Sequence, residues 1–428
     1  MKFALAAHGT RGDVEPVAAL GLELLRRGHQ VQMAAPPNLV GFVESAGLTA
    51  IPYGPDSQQQ LDAFSDVWKA WEIQNPVRLI RRSSEYFSLG WAEMSATLTS
   101  LAEGADLIVT TAGYQDVAAN VAEYYGIPLA ALHYYPFRPN GSLIPLVPAP
   151  VLRGVTAAVV WLHWRMTKRV QVDQRRDLGL PPASGSAASR MPEHGSLEIQ
   201  AYEEFFFPGL AAEWADRCPF IGALTLELPT AADDEVTSWI AAGTPPIYFG
   251  FGSMPVESPT DTLAMVSTAC AQLGERALIC SGSNNFSQAP HSDHVKIVRS
   301  VSHATVFPLC RAVVHHGGAG TTAAGLRAGV PTLILAVAAE QPIWAAQIKR
   351  LKVGHARHFS RTTQKSLVCD LRRILTPQCR IQARHIASQM TKPADSAAAA
   401  AQLLEESSRA ARRQAPMTSH RRRCRTDL

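Results

Sequence analysis

The residues best placed to do chemistry lie in three loops. The richest is Val313-Val314-His315-His316-Gly317-Gly318-Ala319-Gly320-Thr321-Thr322. An apolar strand enters a glycine-rich turn and leaves it as a helix through Ala323, Ala324, Leu326 and Ala328, closed by Gly329 and Pro331. A helix begun this way leaves backbone N–H groups unpaired at the positive end of its dipole, which suits phosphate oxygens. Thr321 and Thr322 add hydroxyl donors, and the glycines let the backbone approach a ligand closely. The glycines alone fit any strand-to-helix turn. The paired histidines, the run of small residues and the two threonines favour a ligand.

The first loop reads His8-Gly9-Thr10-Arg11-Gly12-Asp13-Val14-Glu15-Pro16, and the third Phe249-Gly250-Phe251-Gly252-Ser253-Met254. Asp13 stands close before a helix, where the dipole favours an ionised carboxylate. Such a group on a ligand-facing loop can take a proton from a hydroxyl. The residues alone leave Asp13 open between a helix cap and a base, Arg11 between a surface charge and a phosphate contact. His8 reads as a buried loop residue. A nicotinamide dehydrogenase is excluded, because only Gly9 and Gly12 stand where GxGxxG is needed. Ala34-Ala35-Pro36-Pro37 also occupies the place of its acidic ribose reader. There is no Walker motif.

The elements that must position these loops alternate. Lys2 to Ala7 reads as a strand, Val17 to Arg27 as a helix with Pro16 in its first turn, and Val31 to Ala35 as the next strand. The pattern recurs at Leu107–Thr111, Asp116–Tyr125 and Pro128–His133. It recurs again from Pro246 through Thr262–Leu273, Arg276–Cys280, Val295–Val298, Thr332–Leu335 and Pro342–Leu351. Repeated βαβ units predict an α/β fold of two doubly wound, parallel-sheet halves facing a central cleft, with the three loops at carboxyl ends of strands. Asp56 to Trp91 reads as an irregular aromatic insertion. Val151 to Val170 reads as a core-packing helix with basic ends or, more sharply, as a membrane-surface helix. The helical pattern fades after Ala401, and a basic tail follows from Ser408.

Composition bounds the answer. At 428 residues, 46% hydrophobic and 18% charged, the chain is globular and long enough for two cores. A net charge of +4 gives no argument for nucleic acid. The seven scattered cysteines lack metal spacing and predict reduced thiols in a cytoplasmic protein. The apolar start is too short for a signal peptide, and no run is long enough to span a bilayer.

Four motifs in order carry a resemblance to the GT-B nucleotide-sugar glycosyltransferases of family 1, up to about Leu404. Gly9 to Pro16 matches the GTRGDVxP start of the bacterial branch, and Phe249 to Met254 its FGS loop. His315 to Thr322 matches its HHGGAGTT signature, and Glu340-Gln341-Pro342 its (D/E)Q pair. That branch glycosylates glycopeptides, macrolides, sterols and, in mycobacteria, glycopeptidolipids. Wording such as Pro37 to Phe42 resembles mycobacterial glycopeptidolipid rhamnosyltransferase-like enzymes. The resemblance implies Rossmann-like domains over 1–218, binding acceptor, and 236–389, binding nucleotide-sugar. It implies a linker at 219–235, a helix crossing back at 390–407, and a basic, disordered tail at 408–428.

It also implies roles. His316 and the backbone of Gly318, Gly320, Thr321 and Thr322 would hold the donor diphosphate, with Ser253 and Arg11 completing the clamp. Val301 would read the base edge, Glu340 and Gln341 the sugar hydroxyls, and Asp13 would be the catalytic base. Many relatives carry a His in that place, oriented by an Asp where Thr110-Thr111-Ala112 stands here. An Asp base needs no second acid to set a tautomer. Ala324 stands where plant relatives place a ribose-binding Glu, which leaves the nucleotide open between dTDP-rhamnose and UDP-glucose.

The expected enzyme is an inverting hexosyltransferase without cofactor or metal. Its expected acceptor is an amphiphilic lipid or peptidolipid, and its expected location the cytoplasm with peripheral contact at the inner face of the plasma membrane. Competing readings are a sterol- or macrolide-type glucosyltransferase, a GT-B epimerase and a catalytically silent sugar-nucleotide-binding protein.

Overall fold

Short runs of apolar residues without polar alternation become strands buried on both faces. The computed structural model describes residues 1–63, 76–143, 147–183, 185–191, 196–252, 258–282, 293–337 and 340–414. They divide into two units, Met1–Leu224 with Ala394–Leu428, and Thr225–Pro393.

In the first unit the strands are β1 (Lys2–Ala6), β2 (Gln30–Ala35), β3 (Ala50–Pro52), β4 (Leu107–Thr111), β5 (Leu129–His133) and β6 (Leu197–Gln200). They form one parallel sheet in the order β3-β2-β1-β4-β5-β6, with Phe3 opposite both Val31 and Leu107. Phe3, Leu5, Leu107, Ile108 and Val109 are fully buried, each contributing about 2 kcal/mol over exposure. The helices that bear on function are α1 (Arg11–Arg26), α2 (Pro76–Ser88), α3 (Gln115–Tyr125) and α4 (Ala149–Asp177). The second unit repeats the plan with β7 (Ile247–Gly250), β8 (Ala277–Cys280), β9 (Val295–Val298), β10 (Ala312–His315), β11 (Thr332–Ala336) and β12 (Gly354–His358). Their order is β12-β11-β10-β7-β8-β9. Its helices include α5 (Asp233–Ala241), α6 (Ala319–Arg327) and α7 (Gln341–Arg350).

Both sheets have the doubly wound order 3-2-1-4-5-6, so each reverses direction at one place. That place lies between β1 and β4 in one unit and between β7 and β10 in the other. All three chemistry-bearing loops leave strands at these two places.

Several expectations need correction. Helix α1 starts at Arg11, not Val17, because Thr10 and Asp13 form a reciprocal cap. Pro16 therefore sits inside the helix and removes the N–H that the carbonyl of Gly12, an exposed residue four positions earlier, would otherwise accept from. The segment read as irregular is largely helical where described: α2 spans Pro76–Ser88, and another helix begins at Trp91. The acidic run read as linker is the first turn of α5, where carboxylates complement the dipole. Thr230 donates from N (2.7 Å) and Oγ1 (2.8 Å) to Asp233, which also accepts from Ser302 N at 2.8 Å.

Nor does the chain loosen after Ala401. Helix α8 runs Pro393–Gln414 and packs in the first unit. Ala400, Ala401 and Leu404 are fully buried. Glu405 accepts from His29 (2.9 Å) and Arg409 (3.2 Å), and Arg412 pairs with Asp106. The rest of the tail, 415–428, lies outside the described residues.

The C-terminal half of α4 is held by a polar network. Gln174 accepts from Trp91 Nε1 (3.1 Å) and Asn120 Nδ2 (2.9 Å). Arg175 grips Glu123 through both guanidinium nitrogens (2.7 and 2.8 Å), and Arg190 reaches the same carboxylate at 2.7 Å. Pairing of this kind is what allows such groups to be buried.

Candidate active site

In the first unit, Asp13 is the third residue of α1, just past the turn that β1 feeds. Thr10 donates to Asp13 Oδ2 from its backbone N (2.8 Å) and its hydroxyl (3.2 Å). Oδ1 accepts from no other residue among the described ones, and so remains for an incoming hydroxyl. Gly9, at φ +130°, is required here, since a Cβ would collide with the carboxylate. Tyr134, just past β5, donates its hydroxyl to the Asp13 carbonyl at 3.0 Å.

The sequence predicts that the helix dipole keeps Asp13 ionised. Burial pushes the carboxyl up to about 6, against the lowering pull of the two Thr10 hydrogen bonds. A carboxylate poised there is a better proton acceptor than a solvated one and is still ionised at neutral pH. His8 is buried, meets the Pro55 carbonyl through Nε2 at 2.8 Å and is held neutral by burial. Arg11 pairs with Glu15 (2.9 Å) and lies 4.6 Å over the Phe42 ring, so its charge is already met inside this unit.

The second unit holds a different kind of helix start. Gly318 is the N-cap of α6 and supplies no side-chain cap. Thr322 N closes the first turn onto Gly318 O at 2.9 Å. The N–H groups of Ala319, Gly320 and Thr321 precede any intrahelical acceptor and point outward from the helix end. Thr321 is half-buried. The Thr322 side chain is fully buried, and its hydroxyl is committed to Gly318 O at 2.8 Å, so it offers a ligand nothing beyond its place in the turn.

His315 accepts from Gly317 N at Nδ1 (3.0 Å), which places its proton on Nε2 and fixes the loop from inside. His316 is half-buried beside the helix start, and its Nδ1 is buried without a partner among the described residues. Burial pushes it down to about 4, the Gly250 carbonyl pulling the other way. It therefore meets a ligand as a neutral hydrogen-bonding ring. A Cβ at Gly318 would come within 2.7 Å of His316 Nε2, so the close fit needs glycine.

Glu340 is half-buried at the N-cap of α7. Gln341 is buried and accepts from Val337 N at 2.7 Å, which ties the β11 loop to α7. The Val301 side chain is buried among Val236, Ile240, Tyr248 and Phe307, so only its backbone is left to read a base. Ser253 lies outside the described residues. Sequence reasoning missed Tyr134 and the aromatic group beside Val301, where His303 stacks on Phe307 (4.3 Å, 19°) with Tyr248 edge-on. The position of Tyr134 after a strand's carboxyl end was the available signal for it. Among the described residues no three His, Cys, Asp or Glu are grouped to hold a metal ion.

The chain also has relatives. Residues 3–124 match the glycosyltransferase family 28 N-terminal domain, and residues 278–406 the erythromycin biosynthesis protein CIII-like C-terminal domain. An uncharacterized glycosyltransferase of Mycobacterium tuberculosis is 63% identical over 92% of this chain and 96% of its own length. The chain belongs to the GT-B glycosyltransferases of family 1. A sterol 3-beta-glucosyltransferase of Arabidopsis thaliana is 28% identical over 90% of this glycosyltransferase and 65% of its own length. A Streptomyces glycosyltransferase solved with thymidine diphosphate shares the fold at a TM-score of 0.61 and 20% identity, covering 95% of this chain and 99% of its own. As a hexosyltransferase the protein needs a base for an acceptor hydroxyl and a site for an anionic leaving group. Asp13 and the start of α6 are groups of those two kinds.

Proposed function

We propose that the protein is an inverting, metal-independent transferase that moves a 6-deoxyhexose, rhamnose, from a nucleoside diphosphate to a hydroxyl of a lipid or peptidolipid acceptor. The reading places it in cell-envelope glycolipid synthesis of the glycopeptidolipid type, in the cytoplasm. The observation that carries it is Asp13: a half-buried carboxyl raised to about 6, with one oxygen held by Thr10 and the other open.

In the proposed step the acceptor O–H gives its proton to Asp13 Oδ1 while its oxygen bonds to the anomeric carbon. The bond from that carbon to the diphosphate oxygen breaks, and the diphosphate leaves with the electron pair. Ala319, Gly320 and Thr321 N–H and the neutral His316 ring receive the charge, the work a divalent cation does in other transferases. Glu340 and Gln341 are assigned to sugar hydroxyls. The backbone of Val301, with the His303–Phe307 stack beside it, is assigned to the base.

Calorimetry with dTDP-rhamnose and UDP-glucose, each without metal and then with Mg²⁺, tests the donor. Tighter binding of dTDP-rhamnose, unchanged by Mg²⁺, is the expected result. The sterol glucosyltransferase relative favours a second reading, a UDP-glucose-dependent enzyme acting on a sterol or macrolide, which the reverse preference would support.

A further inference from the structure

Beyond Leu152, α4 turns mainly polar side chains inward and carries an apolar stripe outward. Among its buried residues Leu152 is apolar while Thr167 and Gln171 are polar, and Thr156 and His163 are half-buried. The Thr156 and Thr167 hydroxyls return to their own helix at Leu152 O (2.9 Å) and His163 O (3.1 Å). His163 faces Asp116 at 3.4 Å, and Gln171 donates to Thr167 at 2.9 Å. Outward, Val151, Val155, Val159 and Leu162 recur at intervals of four, four and three, which aligns them along one stripe. They are 56%, 54%, 60% and 42% exposed, and Trp161 beside them 57%. A helix in a globular core does the reverse, and a contiguous apolar face left outside marks an interaction surface.

The same stripe continues into cations. Arg165 and Arg169 follow Leu162 at three and four further residues, and Lys168 lies 5.3 Å over the Trp164 ring. All three are exposed, and none has a carboxylate partner among the described residues. Helix α2 runs alongside, joined by Ser84 Oγ to Met166 O at 2.9 Å, and adds Ile80, 50% exposed.

We propose that this face of α4 docks the protein on an anionic lipid surface. The Val151–Leu162 stripe and Trp161 enter the boundary between headgroups and acyl chains, and Arg165, Lys168 and Arg169 meet lipid phosphates. A flat apolar stripe, an aromatic residue at its border and unpaired charge of one sign fit a bilayer interface. In a second copy presenting the same face, the nearby carboxylates Glu85 and Asp173 are already paired with Arg82 and Arg176. The inference rests on this surface and is independent of the donor and acceptor assigned above.

The test is co-sedimentation of the full chain with phosphatidylcholine vesicles, with and without phosphatidylglycerol. Binding is expected with the anionic vesicles and should weaken with added salt. The triple variant Arg165→Gln, Lys168→Gln, Arg169→Gln should lower that partitioning roughly a hundredfold. Val155→Asp with Val159→Asp should abolish it. Both variants change exposed positions and should melt as the parent does. If the aspartate variant melts lower, the glutamine variant alone decides. Failure of the parent to sediment, or equal sedimentation of the glutamine variant, would overturn the proposal. A dimer in sedimentation velocity that the aspartate variant dissociates, without vesicle binding, would assign the face to a second copy and also overturn it.

Discussion

The two units use the start of a helix in opposite ways. At α1 the helix carries its own anion in its first turn, the Asp13 carboxylate, which accepts from the Thr10 N–H and hydroxyl. At α6 the N-cap is Gly318, which brings no side chain, so the donors stay available for an anion from outside. A βα junction beside the switch point thus yields a base in one unit, after its first strand β1, and an anion cradle in the other, after its fourth strand β10. What separates them is whether the first turn carries its own carboxylate.

Exchanging the two solutions gives the largest effects. Asp13→Asn keeps an acceptor for Thr10 and removes the proton acceptor, so transfer should fall by about 10²–10⁴ with the donor dissociation constant unchanged. Single-turnover assays and calorimetry check this, and near-parental transfer would remove Asp13 from the mechanism. In the parent, kcat/KM should rise as pH passes up through about 6 and then level, because the base acts ionised. Linkage has the opposite sign. A carboxyl raised in the folded state binds protons more tightly there than in the unfolded chain, so Asp13 loses the protein stability as pH rises from about 4 to about 6. Asp13→Asn should therefore gain in Tm relative to the parent across that window.

Capping the second helix start is the next test. Gly318→Asp places an anion where the diphosphate should sit and crowds His316. Donor affinity should drop by about 2 kcal/mol, roughly thirtyfold in Kd. Undiminished binding would move the diphosphate site away from α6. Thr10→Ala should have a smaller effect, about 1 kcal/mol of stability from the lost cap. Because the Thr10 hydroxyl lowers the Asp13 carboxyl, its loss should move the rate inflection above its parental pH.

Much of this plan was legible in the sequence, because parallel strands read as unbroken apolar runs and glycine-rich turns punctuate them. What escaped depends on partners far along the chain. The edge strand β12 spells Gly-His-Ala-Arg-His, and Arg357 in it is compensated by Asp370 at 2.6 Å. The end of α8 looks like a solvated tail until Glu405 meets His29 and Arg412 meets Asp106. Helix α2 meets α4 through Ser84 and Phe87, partners that lie far along the chain. At the site, residue types and spacing were readable, but not the balance of forces on them. Nothing in the letters says that burial outweighs the Thr10 hydrogen bonds at Asp13, or that the Thr322 hydroxyl is taken by Gly318.

The smallest expected effect concerns Arg11, which by motif belongs to the diphosphate clamp and by geometry to α1. Its guanidinium is held by Glu15 at 2.9 Å and by the Phe42 ring, on an exposed helix turn. To serve a phosphate it would have to leave both. Such exposed pairs contribute only about 0–1 kcal/mol, so the pair itself would be a weak lock. The comparison of the two helix starts decides the direction: α1 already satisfies its own anion and has little use for another. Arg11→Ala should change donor Kd by less than about twofold, and Tm little, as is usual for surface substitutions. A tenfold loss of donor affinity would instead show that the first unit lends the diphosphate a cation, and that the division between base and cradle is less complete than the two caps suggest.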